Sequence, residues 1–298
     1  MKQLFRRLTA LVPIVPALAS FVYQSSECSA SNSNHFKFGE KMIPHPSKAD
    51  KGGEDASFVS GNILAVADGV GGWNEYGVDP AIYSRQLCKN IQVLAISKVM
   101  SFLKNPKSII KKAWEDNKHD GSSTLVVVSL PQDENAIYTS YVGDSGYCIL
   151  RQEGPKSYQL IYESQPQQRR FNYPYQLGWG RNGDHPDVAL ESKHDVKDGD
   201  LVILGTDGLF DNMRPTDIAS LVNSHLQSNR LDEQAIATLI AEKTYQLSLD
   251  SKHNSPFAVE ASKSGIFYRG GKSDDITVVV GRVMLSQSNQ QSTPTRDR

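Results

Sequence analysis

Apolar residues in this chain gather in short runs divided by glycine, proline and acidic residues. Asn62 to Asp68 is a continuous apolar run closed by Asp-Gly, which predicts a strand buried on both faces. The β-branched run Thr124 to Leu130 predicts another, and Ala136 to Val142, Tyr147 to Arg151 and Tyr158 to Tyr162 follow in the same manner. Leu201 to Leu204 and Ile276 to Val280 extend the series, and one more strand is expected near Phe58. Elsewhere the period lengthens. Asp79-Pro80 supplies an N-cap and a proline at the first helical position. Leu87, Ile91, Leu94, Ala95 and Phe102 then recur at helical spacing, so Pro80 to Leu103 predicts a helix with one apolar face. Asn105-Pro106 opens a second helix with Ile109, Ile110, Ala113 and Trp114 inward. Pro215 to Leu226 predicts a third, with Ile218, Leu221, Val222 and His225 on one face. Asp232 to Leu249 predicts a fourth, with Ile236, Leu239, Ile240 and Leu247 inward. Strands come in runs and helices in pairs between them. That order suits an α+β layered fold better than a strictly alternating parallel one.

The two ends break the pattern. Lys2, Arg6 and Arg7 precede an almost wholly apolar stretch from Leu8 to Tyr23, and no acid appears before Glu27. Taken alone, the segment fits a mitochondrial presequence and a secretory signal with its small-residue site at Ala17-Leu18-Ala19 equally well. The run is short for a membrane anchor and contains Pro13 and Pro16, so no stable membrane span is expected in the mature chain. Ser25 to Asn34 reads as a linker, and Ser286 to Arg298 reads as a disordered polar tail. The expected organisation is a targeting segment and linker over 1–34, a folded domain over 35–285 and a tail over 286–298.

Composition narrows the classes. The chain has 298 residues, 39% of them hydrophobic, enough for a sizeable core. Lys+Arg is 32 against 33 for Asp+Glu, which lacks the basic excess of a nucleic-acid binder. Cys28, Cys88 and Cys148 form no C-x-x-C pair, which disfavours structural zinc, and so sparse a set suits a reducing compartment.

Acidic residues stand where strands end. Asp68, Asp144 and Asp207 close or follow predicted strands, Asp274 and Asp275 precede the last, and Glu54 and Asp55 precede the strand near Phe58. Any one Asp-Gly is ordinarily a turn. Several carboxylates at strand ends can meet in one cleft, where they would repel and raise one another's pKa. A hard divalent cation such as Mg²⁺ or Mn²⁺ relieves that conflict without His or Cys ligands. Two such ions about 3.5–4 Å apart can activate water and clamp a phosphoryl group. No C-x5-R or D-x-D-x-T pattern supplies the cysteine or phospho-aspartate alternatives.

The ordered motifs Gly-Gly-Glu54-Asp55, Asp68-Gly69-Val-Gly-Gly-Trp73, Gly-Ser-Ser-Thr124, Gly143-Asp144-Ser145, Thr206-Asp207-Gly208-Leu-Phe-Asp211 and Asp274-Asp275-Ile-Thr-Val resemble metal-dependent protein phosphatases of the 2C type, from about Phe36 to Val283. Asp68 to Pro80, Phe171 to Leu177 and Asp207 to Met213 resemble the short mitochondrial branch of that family. The resemblance implies a four-layer α-β-β-α sandwich with two central antiparallel sheets. It implies a serine/threonine protein phosphatase acting on phosphoproteins, with Mg²⁺ or Mn²⁺ as two ions and room for a third. Asp68 would bridge both ions and Gly69 would offer its carbonyl. Asp207 and Asp274 would bind one ion, Glu54 and Asp55 would hold metal-bound waters or one ion directly, and Asp144 would support the third. Asp275 stands where the family usually has Asn. The branch favours mitochondria, the matrix above all, over the secretory pathway.

Two positions depart from the family. Its phosphate-gripping Arg falls at Asp50, with Lys48 and Lys51 nearby, and Lys51 is the phosphate-binding candidate; lysine cannot grip bidentately. Its His after Asp-Gly is Val70. A weakly catalytic phosphoprotein binder and a small-metabolite phosphatase on the same metal site are therefore alternatives. Gly271-Lys272-Ser273 lacks the upstream glycine and following helix of a nucleotide loop. Trp73, Trp179 and Phe171 to Leu177 fit either cleft-lining positions or ordinary packing and surface loop.

Overall fold

The computed structural model describes residues 33–97, 100–178 and 183–286. The targeting segment, Cys28, Trp179 and all of the tail after Ser286 lie outside them. Strands are β1 His35–Ile43, β2 Asp55–Val59, β3 Ile63–Asp68, β4 Ser122–Ser123, β5 Leu125–Ser129, β6 Ala136–Val142, β7 Gly146–Gly154, β8 Ser157–Glu163, β9 Gln168–Arg170, β10 Tyr173–Pro174, β11 Leu177–Gly178, β12 Leu190–Asp195, β13 Leu201–Gly205 and β14 Ile276–Met284. Helices are α1 Pro80–Ile96, α2 Pro106–Glu115, α3 Asp207–Phe210, α4 Pro215–Ser228, α5 Glu233–Ser248 and α6 Pro256–Lys263.

Two five-stranded sheets form the centre, in the orders β1-β14-β13-β7-β8 and β12-β6-β5-β3-β2, and every pairing in them is antiparallel. The continuous apolar runs have a simple cause: both faces of these strands are buried, and alternate residues serve different layers. Leu64, Val66, Val126, Val128, Val202, Leu204 and Val279 fill the space between the sheets. Their neighbours Ile63, Ala65, Leu125 and Val127 turn outward onto Leu87, Ile91, Ile109 and Ile110 of α1 and α2. Leu201, Ile203, Val278 and Val280 turn the other way onto Ile218, Val222, Ile236 and Ile240 of α4 and α5. This is the expected four-layer sandwich. Among the described residues no helix is long and apolar enough to cross a membrane. Cys88 and Cys148 are buried free thiols, and burial pushes both upward in pKa.

Several boundaries differ from expectation. The first helix ends at Ile96, where Ser97 returns its hydroxyl to the Leu94 carbonyl at 2.8 Å. Phe102 and Leu103 fall in a separate 3-10 turn, Met100–Lys104, yet pack on the same core. Asn34 and Ser286, assigned to linker and tail, belong to the fold. Asn34 is fully buried, donates to the carbonyls of Pro131 and Glu134, and accepts from the Ser286 amide at 2.9 Å. The strands β1 and β12 and the helix α6 carry no strong apolar period; β12 is Leu-Glu-Ser-Lys-His-Asp, paired along one edge only.

On β12, His194 leans on the Tyr162 ring, with centroids 4.1 Å apart, and its Nε2 lies 2.9 Å from the Tyr147 hydroxyl. Burial holds its pKa below the ordinary value. The unfolded chain therefore binds this proton first as pH falls below about 6.5, and the stability His194 contributes drains away toward the folded value. The melting-temperature gap between wild type and His194→Gln should narrow from pH 7.5 to pH 5; a gap that stays constant or widens contradicts this origin.

Candidate metal centre

The acids meet at one rim, where the ends of both sheets come together. Asp55 opens β2 and Asp68 closes β3, and the two are direct partners in the antiparallel register. Asp207 starts α3 just after β13, and Asp274 stands two residues before β14. Asp144 occupies the turn between β6 and β7. Burial raises the Asp68 carboxyl well above its usual range, and Asp207, Asp55, Asp274 and Asp144 each push it further. One residue thus feels four other acids from four separate stretches of chain.

Asp55 and Asp207 are each held by one oxygen. Asp55 Oδ2 accepts from Thr206 Oγ1 at 2.8 Å and Thr277 Oγ1 at 2.6 Å, across from its own sheet to the other. Its Oδ1 is buried without a donor. Asp207 Oδ2 accepts from Lys272 Nζ at 2.5 Å, while Oδ1 is likewise buried without a donor. Burial would raise Asp207, but Lys272 holds it below the ordinary value, and the Asp68 carboxyl lies within hydrogen-bonding reach. Burial and Asp207 push Asp144 up to about 7. Burial pushes Asp211 up to about 8 against the pull of Lys272. Asp274 is raised by burial and by Asp207, with Lys272 and Lys48 opposing.

Glu54 is placed by backbone chemistry. Gly53 has φ of +76°, and a Cβ there would stand 2.7 Å from Asp275 Oδ1, so only glycine fits. Asp275 clamps this turn. Its Oδ1 accepts from the His45 amide at 2.7 Å, and its Oδ2 accepts from the Glu54 amide and from Lys48 Nζ, both at 2.9 Å. Glu54 then receives Lys48 Nζ at 2.6 Å and Asn74 Nδ2 at 2.6 Å. The Gly69 amide donates to the Glu54 carbonyl at 3.2 Å, which lays the loop after β3 against it.

The structure thus brings Glu54, Asp55, Asp68, Gly69, Asp144, Asp207 and Asp274 together. Lys51 is exposed at the end of the turn Pro46–Lys51, whereas Lys48 of the same turn reaches the acids. Trp73 hydrogen-bonds Ser122 Oγ at 2.6 Å, and Phe171 packs on Phe257 with centroids 4.9 Å apart. Lys272, Asp211, Thr206 and Thr277 carry weight that motif reading missed. Asp211 had a signal, since it lies four residues after Asp207 and so on one helical face. Lys272 had none.

The residues fit hard divalent ions. The donor set is oxygen throughout, carboxylate but for the Gly69 carbonyl, and two of its buried carboxylate oxygens have no hydrogen to accept. Among the described residues no three acids, His or Cys already converge on a single point as a preformed ion cage. The reason is visible in the ion pairs: the acids are drawn onto the ammonium groups of Lys48 and Lys272.

Fold and rim together define an α-β-β-α sandwich with a carboxylate-rich seam between its sheets. Residues 184–253 match the family described as Protein phosphatase 2C. The chain is 40% identical over 251 residues to "Probable protein phosphatase 2C 55" of Arabidopsis thaliana, covering 84% of this chain and 52% of that protein. It therefore spans about half the length of that relative. It is 36% identical over 247 residues to "Protein phosphatase PTC7 homolog" of Homo sapiens, covering 78% of this chain and 79% of that one. The solved structure titled "X-ray structure of the photosystem II phosphatase PBCP" superposes with a TM-score of 0.74 at 32% identity, over 83% of this chain and 98% of its own. The chain belongs to the protein phosphatase 2C family.

Asparagine at position 275 would turn an NH₂ group toward backbone or ammonium donors, whichever way it flipped. Asp275→Asn should therefore cost about 1–3 kcal/mol in urea unfolding, even though the family usually carries Asn there. A neutral or stabilising effect would show that the clamp is unimportant.

Proposed function

We propose that this chain is a metal-dependent serine/threonine protein phosphatase that uses two Mg²⁺ or Mn²⁺ ions. The observation that carries the reading is the pair of buried, donorless oxygens, Asp55 Oδ1 and Asp207 Oδ1, beside Asp68. Asp68 would be shared between the ions, with the Gly69 carbonyl beside it. Asp207 and Asp274 would hold one ion, and Glu54 and Asp55 would hold waters around the other or bind it directly. When bound, such a pair lowers the pKa of water and draws electron density from a phosphoryl group.

The chain's own groups prepare that site. Thr206 and Thr277 orient the Asp55 carboxylate and fix the spacing between the sheets. Asp275 and Lys48 fix Glu54. Lys51, exposed on the turn beside them, is our candidate for attracting the incoming phosphate, as a point charge and not a bidentate grip. Phosphoproteins are the proposed substrates, in keeping with relatives named as protein phosphatases. We assign the chain to mitochondria, most simply the matrix, on its basic, acid-free N-terminal segment and its resemblance to that branch. A C-terminally tagged full chain should co-localise with a mitochondrial marker, and a secretory pattern would overturn the assignment.

The purified chain should release phosphate from phosphoserine and phosphothreonine peptides when Mn²⁺ is supplied, and stop when it is chelated. Asp207→Asn should lower turnover by more than about a hundredfold while circular dichroism and melting remain cooperative. Undiminished turnover in that variant removes Asp207 from the site. Preference for small phosphate metabolites over phosphopeptides would transfer the chemistry to the other substrate class.

A further inference from the structure

Lys272 is an ammonium group built into the acidic rim. Its Nζ lies 2.5 Å from Asp207 Oδ2, 2.6 Å from Asp211 Oδ2 and 3.3 Å from Asp274 Oδ2. Three carboxylates thus face a group with three N–H donors. The placement does not depend on charge alone. Asn212 accepts the Lys272 amide at 2.8 Å, donates to the Lys272 carbonyl at 2.8 Å, and donates to the Gly208 carbonyl at 2.9 Å. The lysine backbone is therefore tied to α3, the helix that carries Asp207. The Phe257 ring lies 5.1 Å from Nζ and packs against Phe171 and Tyr268, which walls this side from water.

The two oxygens of Asp207 divide the space. Oδ2 belongs to Lys272, and donorless Oδ1 remains for an ion shared with Asp68. On the Lys272 side stand Asp144 and Asp211, the acids left over once Asp68, Asp207 and Asp274 serve the two proposed ions. We propose that the Lys272 ammonium takes the place of a third divalent cation there, so that this chain binds two metal ions and carries its third positive centre covalently. The inference rests on the metal reading above. A divalent ion bound by Asp144, Asp207 and Asp211 would have to displace the ammonium from two of its three partners and then sit beside it. Lys272 also screens part of the repulsion in the metal-free protein. The acids outnumber the two lysines, which leaves negative charge for divalent ions to balance.

The test counts ions and follows stability, independently of turnover. Equilibrium dialysis of Mn²⁺ should find two ions per wild-type chain. Lys272→Met should bind a third ion, and Lys272→Met combined with Asp144→Asn should return the count to two. In chelator, Lys272→Met should melt below wild type, and excess Mn²⁺ should close most of that gap. Three ions on wild type, or two on Lys272→Met, would overturn the proposal while leaving the metal site standing. No binding to either protein would overturn both. Should Lys272→Met fail to fold, Lys272→Arg keeps the charge and should keep the two-ion count; a third ion in that variant counts against the idea.

Discussion

Buried carboxylates that repel one another govern this molecule. Asp68 feels four other acids in a setting that also strips away water, and both effects disfavour its charged form. Left to themselves such groups would separate. They stay together because each sits on, or within two residues of, the end of a strand or helix whose packing is determined elsewhere, in the apolar layers between and outside the sheets. The strain is relieved in three ways: protons on the groups whose pKa is raised, the ammonium groups of Lys48 and Lys272, and the divalent ions for which two oxygens remain without donors.

The site is also a seam. Asp55 comes from one sheet and is held by Thr206 and Thr277 of the other. Asp275, immediately before β14, grips the turn that leads into β2. Forces that set the distance between the sheets therefore set the distance between ligands. Inter-sheet residues such as Leu64, Val202 and Val279 touch no reacting group, yet they determine where the carboxylates stand. This coupling gives the fold a part in the chemistry beyond that of a passive support.

Legibility in the sequence followed burial. Strands covered on both faces, such as β3, β5 and β13, announce themselves because each position must be apolar. The edge strands β1 and β12 were silent, since most of their side chains are exposed or half-buried and need not be apolar. The short helix α3 was hidden inside a motif read as a strand end. The acids were legible because carboxylates at strand ends are costly unless something uses them. The lysines that answer them were not, because a lysine stem can reach a partner from many backbone positions, and spacing says nothing of its direction. Lys51 and Lys48 lie in the same turn, and only the conformation around Gly52 and Gly53 decides which of them turns inward.

By itself, the order of residues determined the layered α+β class, most strand and helix positions and the identity of the carboxylates, because periodicity and the cost of burying charge are local rules. Only the tertiary structure decided that Asp55 and Asp68 stand opposite each other, that Thr206 and Thr277 reach across to hold one of them, and that Lys272 enters the cluster. The first is a pairing register within one sheet, and the other two are contacts between segments far apart along the chain, whose geometry is a product of tertiary packing that no short stretch of sequence encodes.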